Sequence, residues 1–288
     1  MKRIFFFTVL LLTALVSNAQ EMHPKAPKVP EYMDFADERI YFDRDDLYER
    51  MDRELLAFSY MHSTSTLMLK RSERYFTMVE PILKKYGIPE DLKYLMVIES
   101  NLDPKALSRA GAAGLWQFTK AAAQDYGLEV SAEVDERYNI EKETIAACKY
   151  LKSTYAKCKD WMTVAASYNA GPGGINKKLN EQKQSSALNL YLVEETSRYM
   201  FRLLTAKMFF ENPKAFGFDI DKSEYYPYRE PKDIVTVTEP IPSLVDFAIS
   251  HKVTYAALKE ANLWLRDTKL TNKAGKSYKI IIPDVGKR

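Results

Sequence analysis

The chain has 288 residues, of which 46% are hydrophobic and 28% are charged, and its formal net charge is +3. This balance is typical of a folded globular protein and excludes an intrinsically disordered one, which lacks the apolar residues to form a core. The small net charge, with no basic block along the chain, gives no support to a nucleic-acid-binding protein.

The first 19 residues have the features of a secretory signal peptide. Lys2 and Arg3 precede an apolar run that ends at Val16, and Ala19 supplies a small residue at the cleavage point. The alternative is a membrane anchor, but this run is shorter than the roughly 20 residues that span a bilayer. We therefore predict export to the periplasm or the cell envelope.

The rest of the chain predicts a mainly α protein. Residues 20–36 carry three prolines and are interpreted as an extended leader. Residues 37–80 and the segments that follow them show the 3.6-residue spacing of amphipathic helices, as far as residue 224. No strand-like alternation occurs before residue 230, so this body is expected to be all-helical. Residues 225–231 are interpreted as a linker.

Glu99 interrupts the apolar face of a short predicted helix that begins at Pro89. It follows Leu92, Leu95 and Met96 at the spacing i, i+3, i+4 and i+7. An acid on a buried stripe is costly unless it is paired or functional. Desolvation would raise its pKa, so that it could hold a proton near neutral pH as a general acid does. The alternatives are a glutamate paired with an arginine and one that emerges at the helix end.

Two further segments carry side chains suited to binding a sugar. Residues 114–117, Gly-Leu-Trp-Gln, place a ring face and an amide beside a tight glycine loop. Residues 166–171, Ala-Ser-Tyr-Asn-Ala-Gly, put a tyrosine and an asparagine at a predicted helix end. Core packing is the alternative for both aromatic residues, because a lone tryptophan such as Trp116 is more often core and Tyr168 shares a helical stripe with Trp161.

Together with the pair Glu99-Ser100, these segments resemble the lytic transglycosylase family, which has a lysozyme-like fold. The marks of that family are a catalytic Glu-Ser pair, a Gly-Leu-(Trp or Met)-Gln segment and an Ala-x-Tyr-Asn-Ala-Gly segment, and all three stand here in order. Phe118, directly after the second segment, is most similar to the membrane-bound transglycosylase D branch. Residues 119–122 depart from the pattern, since they read Thr-Lys-Ala-Ala where related sequences often have Met-Pro-Gly-Thr.

The resemblance implies that the substrate is peptidoglycan and that Glu99 is the catalytic acid. It would protonate the oxygen that leaves N-acetylmuramic acid, while the N-acetyl group of the substrate assists at the anomeric carbon. The carboxylate would then accept the proton of the muramoyl 6-hydroxyl, which closes a 1,6-anhydro ring. The substrate-binding residues implied by the resemblance are Ser100, Gln117, Tyr168 and Asn169, with Trp116 and Tyr199 as further contacts.

Two other functions stay open at this stage. The same fold could support a hydrolase like goose-type lysozyme, with a water held by Asp103, Asp135 or Glu136. The other is a peptidoglycan-binding protein with an inactive site, against which the intact motifs argue.

Residues 232–288 predict a second, smaller unit with the order β-α-α-β. Residues 233–238 and 278–282 are strand-like, and two helical segments lie between them, the second with Thr254 as its predicted N-cap. This order resembles a LysM module, a glycan-binding unit, although Glu239-Pro240 replaces the usual Gly-Asp. We predict a LysM-like module here, behind a lysozyme-like catalytic domain at residues 81–224 on which residues 37–80 pack.

The sequence predicts no metal site, no nucleotide cofactor and no nucleic-acid partner. The three histidines share no ligand spacing along the chain. Cys148 and Cys158 would lie roughly 15 Å apart on one helix, beyond the reach of a disulfide. The expected partner is the glycan strand of peptidoglycan, and we expect a monomer associated peripherally with the cell envelope.

Overall fold

The computed structural model describes residues 26–284 and residue 286, so the predicted signal peptide lies outside the described residues. The described part consists mostly of helices with two small sheets, which confirms the mainly α prediction. Short 3₁₀ turns join several of these elements. The helices and strands are β1 (Tyr32–Phe35), β2 (Glu38–Tyr41), α1 (Asp45–Tyr60), α2 (His62–Tyr86), α3 (Tyr94–Ser100), α4 (Lys120–Asp125), α5 (Ile140–Cys158), α6 (Trp161–Ala170), α7 (Pro172–Gln182), α8 (Glu194–Glu211), β3 (Asp233–Val237), α9 (Leu244–Ser250), α10 (Tyr255–Ala261) and β4 (Tyr278–Ile282).

A β-hairpin precedes the helices, so the prediction of no strand before residue 230 is wrong. Strands β1 and β2 pair in antiparallel fashion, and the turn residues Ala36 and Asp37 have φ values of 52° and 66°. Such left-handed values are typical of a tight hairpin turn. The sequence did not predict this hairpin because each strand has only four residues and Ala-Asp is not a usual turn pair. The hairpin is fixed to the body, since the N–H of Ala36 donates to a carboxylate oxygen of Asp91 at 2.8 Å.

Helix α8 lies at the centre of the helical body and packs against α1, α3 and α6, while α2 packs against α5. Helix α3 is short but deeply buried: Leu95, Met96 and Val97 have no exposed surface. The predicted helix from Pro89 begins with a 3₁₀ turn and becomes α-helical at Tyr94. Helix α3 therefore delivers Glu99 to the edge of the core, beside α8.

The C-terminal unit has the predicted order β3-α9-α10-β4, with its two strands antiparallel. The predicted N-cap is confirmed, because the Thr254 hydroxyl accepts from the N–H of Ala257 at 3.1 Å. The small core of this unit also contains three residues of the helical body, which are Ala113, Val134 and Tyr138.

Both cysteines are free, as predicted, with Cys148 buried and Cys158 half-buried on α5. Among the described residues, no helix is both long and apolar enough to cross a membrane.

Candidate active site

Glu99 lies in the last turn of α3, where the buried stripe of the helix reaches the surface of the body. Leu92, Leu95 and Met96 on that stripe have no exposed surface, and Glu99 is half-buried. The helix ends one residue later, at Ser100, and its C-cap Asn101 has a left-handed φ of 53°. The carboxyl group is therefore largely removed from water and yet open to a ligand.

The carboxyl group of Glu99 is held by a tyrosine from α8. The Tyr199 hydroxyl donates to Oε1 of Glu99 at 2.6 Å, and Tyr199 is buried. Arg202, one turn further along α8, donates to the carbonyl of Ile98 at 3.2 Å. The acid is thus bound by a neutral phenol and not by an arginine fork, which disfavours the interpretation as a structural ion pair.

Burial raises the pKa of Glu99 from an ordinary value of 4.5 to about 7. The hydrogen bond from Tyr199 and the charge of Arg202 lower the pKa, and the negative charge of Glu195 raises it. Desolvation prevails because it penalises only the charged form of the acid. Glu99 therefore holds its proton over a large part of the neutral range, in agreement with the expectation from its stripe.

The second predicted segment forms a tight turn between α3 and α4. Gly114 and Gln117 both have positive φ, of 83° and 50°. The amide of Gln117 donates to the carbonyl of Gly114 at 2.9 Å and to that of Ala106 at 3.3 Å. Gln117 is half-buried, and these two bonds fix its side chain against the turn.

Trp116 has no exposed surface, so its ring presents no face to a sugar, and the expected ring contact does not fit this structure. The indole N–H instead donates to the Thr144 hydroxyl at 3.0 Å. The atom of Trp116 that contacts another predicted site residue is its carbonyl oxygen, which accepts from the Tyr168 hydroxyl at 2.7 Å. The ring of Trp116 is therefore packed in the core, which was the alternative prediction for this tryptophan.

The third segment is brought to the same place by α6. Tyr168 and Asn169 are half-buried at its C-terminal end, and the side-chain oxygen of Asn169 accepts from the Thr196 hydroxyl at 2.9 Å. Burial, followed by the charge of Glu99, raises the pKa of Tyr168 well above its usual value. Ser100 is buried, and its hydroxyl donates to the Met96 carbonyl at 2.8 Å. The first and third predicted segments therefore meet at α8, and the second is joined to the third by the bond from Tyr168 to the Trp116 carbonyl.

Sequence reasoning missed a second buried acid beneath this site. Glu143 on α5 has no exposed surface, and its Oε2 accepts from the backbone N–H of Trp116 at 3.1 Å. Burial raises its pKa well above the usual value. The signal was present, since Glu143 precedes the buried residues Ala147 and Leu151 at spacings of four, as Glu99 follows its own stripe.

Comparison with known protein families agrees with this geometry. Residues 78–190 match the family model described as "Transglycosylase SLT domain". This range contains Glu99, the Gly114–Gln117 turn and the end of α6. Residues 78–190 are therefore similar to an SLT transglycosylase domain. Residues 233–286 match a second model, "Soluble lytic transglycosylase C-terminal LysM-like domain", which confirms the predicted LysM-like module.

Relatives of the SLT domain include the membrane-bound lytic murein transglycosylase D of Escherichia coli K12. It is 29% identical over 180 residues, which cover 61% of this chain and 39% of the relative. The peptidoglycan transglycosylase gp16 of Escherichia phage T7 is 36% identical over 122 residues, or 41% of this chain and 9% of that protein. This chain thus spans about two fifths of the length of the E. coli relative.

A solved structure with detectable similarity is the 70 kDa soluble lytic transglycosylase of Escherichia coli. It is 17% identical, with a TM-score of 0.42, and the match covers 62% of this chain and 33% of that one.

Proposed function

We propose that the protein is a peptidoglycan lytic transglycosylase that cleaves the β-1,4 bond between N-acetylmuramic acid and N-acetylglucosamine without consuming water. The observation that carries the proposal is the half-buried carboxyl group of Glu99, which Tyr199 holds and whose pKa burial raises to about 7. It lies inside the range that matches the SLT domain. The match to the SLT domain supports the substrate class, and the geometry supports a single acid that also serves as the base.

In the proposed reaction the proton of Glu99 passes to the glycosidic oxygen as the bond from that oxygen to the anomeric carbon breaks. The N-acetyl oxygen of the substrate supports the positive charge at that carbon. The muramoyl 6-hydroxyl then attacks the anomeric carbon and gives its proton to the Glu99 carboxylate, which restores the acid. One carboxyl group suffices because the second nucleophile belongs to the substrate, unlike in glycosidases with two carboxylates.

The half-buried polar residues around Glu99 are proposed to orient the sugar. They present an amide oxygen, a phenol ring and an amide group at the rim of the site. Ser100 and Tyr199 are proposed to act on the acid itself, Ser100 at the end of α3 and Tyr199 through its hydrogen bond. The three proposed sugar-orienting residues are Gln117, Tyr168 and Asn169.

The hydrolytic alternative needs a second carboxylate that holds a water, and the three acids first considered are engaged elsewhere. Asp135 forms a buried ion pair with Arg137 at 2.7 Å, and Glu136 accepts from the N–H of Glu129 at 2.9 Å. The carboxylate of Asp103 accepts from the N–H of Lys105 at 3.0 Å. The buried contacts of Asp135 and Glu136 disfavour a water-holding role for these two acids.

The mass of the products distinguishes these functions. Purified sacculi digested with the full chain should release muropeptides that are lighter by one water than those produced by a muramidase. Products of hydrolytic mass would replace the proposal by the hydrolase, and sacculi that bind the protein but release nothing would favour the binding protein.

The domain organisation is part of the proposal. Helices α1 and α2 pack on α8 and α5, which supports residues 37–80 as a structural part of the catalytic body at residues 81–224. Residues 225–231 then lead to the LysM-like module. We also propose export and a location in the cell envelope, where peptidoglycan lies.

The hydrogen bond from Tyr199 gives a testable pH dependence. Glu99 must be protonated for the first step, so the activity should fall as the pH rises through about 7. A hydrogen bond to the carboxylate favours the charged form, so Tyr199→Phe should raise the pKa of Glu99 and move the alkaline limb of the kcat/KM profile to higher pH. Tyr150→Phe is the matched control, because the Tyr150 hydroxyl donates to the Ser167 carbonyl at 2.8 Å. A limb that moves to lower pH in Tyr199→Phe would contradict this role.

A further inference from the structure

The LysM-like module is joined to the helical body by backbone hydrogen bonds at residues 133–135. The N–H of Asp135 donates to the carbonyl of Trp264 at 2.8 Å, and the N–H of Arg266 donates to the carbonyl of Glu133 at 2.8 Å. Between these two bonds, Val134 is paired with a residue of the module in an isolated antiparallel bridge. Residues 133–135 therefore add a short strand-like edge to the module.

Side chains reinforce this contact on both of its sides. The Glu133 carboxylate accepts from the N–H of Thr271 at 2.7 Å and from its hydroxyl at 3.0 Å. The guanidinium of Arg266 lies 4.4 Å from the centre of the Tyr138 ring, within cation–π distance. Val134 is 1% exposed and belongs to the core of the module. The module is thus docked on the body by polar and apolar contacts together.

Arg137 connects the docked segment to the loop that contains the Gly114–Gln117 turn. Its guanidinium donates to the Gly111 carbonyl at 2.7 Å and to the Phe118 carbonyl at 3.2 Å, at the two ends of this loop. The same guanidinium is bound by both carboxylate oxygens of Asp135, at 2.9 and 2.7 Å. Asp135 thus makes two kinds of contact. Its backbone N–H binds the module, and its side-chain carboxylate binds Arg137.

The loop needs such support because its conformation is strained. Gln117 is not a glycine and yet has a positive φ of 50°, and such strained backbone persists only where the surrounding structure over-determines it. Gly114 also packs directly on the carbonyl oxygen of Arg137, which an added Cβ would approach to 1.8 Å. A shift of Arg137 would therefore be transmitted to the turn that carries Gln117.

We propose that the LysM-like module braces the active-site loop, with Arg137 as the positioning residue that links the module to residues 111–118. The consequence for catalysis rests on the proposed function, whereas the consequence for the loop does not. The module then affects kcat itself, in addition to any effect that it has on adsorption of the enzyme to sacculi. Loss of the docking contacts loosens the loop, misplaces Gln117 and lowers kcat even on short soluble glycan strands.

The test uses the full chain with the double substitution Glu133→Ala and Arg266→Ala, which removes docking contacts and leaves residues 111–118 unchanged. Amide hydrogen exchange should become about tenfold faster at residues 264–266 and at residues 111–118, since both lose support. Lys279→Ala, at an exposed position of β4, is the matched control and should change neither region.

A second variant separates the link from the docking. Arg137→Lys keeps a positive charge beside Asp135 but cannot make the same forked set of bonds. It should speed exchange at residues 111–118 while residues 264–266 stay protected, and it should lower kcat about tenfold with a smaller change in KM, because orientation is lost.

Faster exchange at residues 264–266 without any change at residues 111–118 would overturn the brace. If the double variant leaves residues 264–266 protected, Val134→Asp, which places a carboxylate in the module core, serves as the undocking variant under the same criteria. The exchange measurement needs no activity, so it distinguishes failure of the brace from failure of the proposed function. A wild-type chain that releases no muropeptide would overturn only the latter.

Discussion

Replacing Glu99 by glutamine is expected to lower the rate of glycan cleavage by about three orders of magnitude, within the range for loss of a general acid–base. The amide can still accept the hydrogen bond from Tyr199, so the geometry of the site is kept. It has no acidic proton to give to the leaving oxygen and cannot accept one from the 6-hydroxyl. The measurement is the initial rate of muropeptide release from sacculi at pH 6, where wild-type Glu99 is mostly protonated.

The control for this variant is Glu195→Gln. Glu195 is exposed on α8, and its charge raises the pKa of Glu99, so its removal changes the electrostatics but not the acid. Glu195→Gln should keep most of the activity and shift the alkaline limb slightly to lower pH. A Glu99→Gln protein within tenfold of wild type would remove Glu99 from its catalytic role.

The loss of activity in Glu99→Gln should not come from unfolding. The pKa of Glu99 in the folded state, about 7, lies above its ordinary value of 4.5, so the folded state loses stability as the pH rises from 4.5 to about 7, and the full penalty is present above 7. Glutamine removes this penalty. The thermal midpoint of the variant, relative to wild type, should therefore be higher at pH 8 than at pH 5. If the thermal midpoint of the variant minus that of wild type were smaller at pH 8 than at pH 5, the raised pKa would be contradicted.

Periodicity located the acid but not its environment. The spacing of Leu92, Leu95 and Met96 is enough to put Glu99 at the end of a buried stripe. The partner of its carboxyl group, Tyr199, lies 100 positions away, and helical spacing carries no information on such a contact. The resemblance to the lytic transglycosylases named Tyr199 only as a further substrate contact, and its hydrogen bond to Glu99 is seen only in the structure.

For Trp116, sequence reasoning identified the residue but could not decide its environment. A tryptophan beside glutamine and a glycine loop suits a sugar as well as a core, and the sequence cannot decide between them. The decision comes from Thr144 on α5, whose hydroxyl gives the indole N–H a buried partner, so that the whole ring can be enclosed without leaving a donor unsatisfied. The same helix supplies Glu143 beneath the turn. Its spacing of four from Ala147 and Leu151 is a signal of burial that sequence reasoning did not use.

Within the Gly114–Gln117 turn, Gly114 should be the backbone position of the site that tolerates substitution least. An alanine Cβ at Gly114 would lie 1.8 Å from the Arg137 carbonyl oxygen and 2.4 Å from Oε2 of Glu143. Neither neighbour can yield easily, because one is backbone and the other is a fully buried side chain. We expect Gly114→Ala to lose about 3 kcal/mol or more of folding free energy, as the sum of left-handed strain and overpacking.

The activity of folded Gly114→Ala should fall about a hundredfold, since a displacement near 1 Å at a substrate-orienting residue has an effect of that size. Gly111→Ala is the matched control, because Gly111 has a similar φ of 79° but no atom within 4 Å of an added Cβ. It should cost only the left-handed strain, about 1 kcal/mol, and keep most of the activity. Denaturant unfolding and muropeptide release measure the two effects. Equal losses in both variants would mean that backbone strain alone is responsible, and that the close contact of Gly114 with Arg137 and Glu143 does not position the turn.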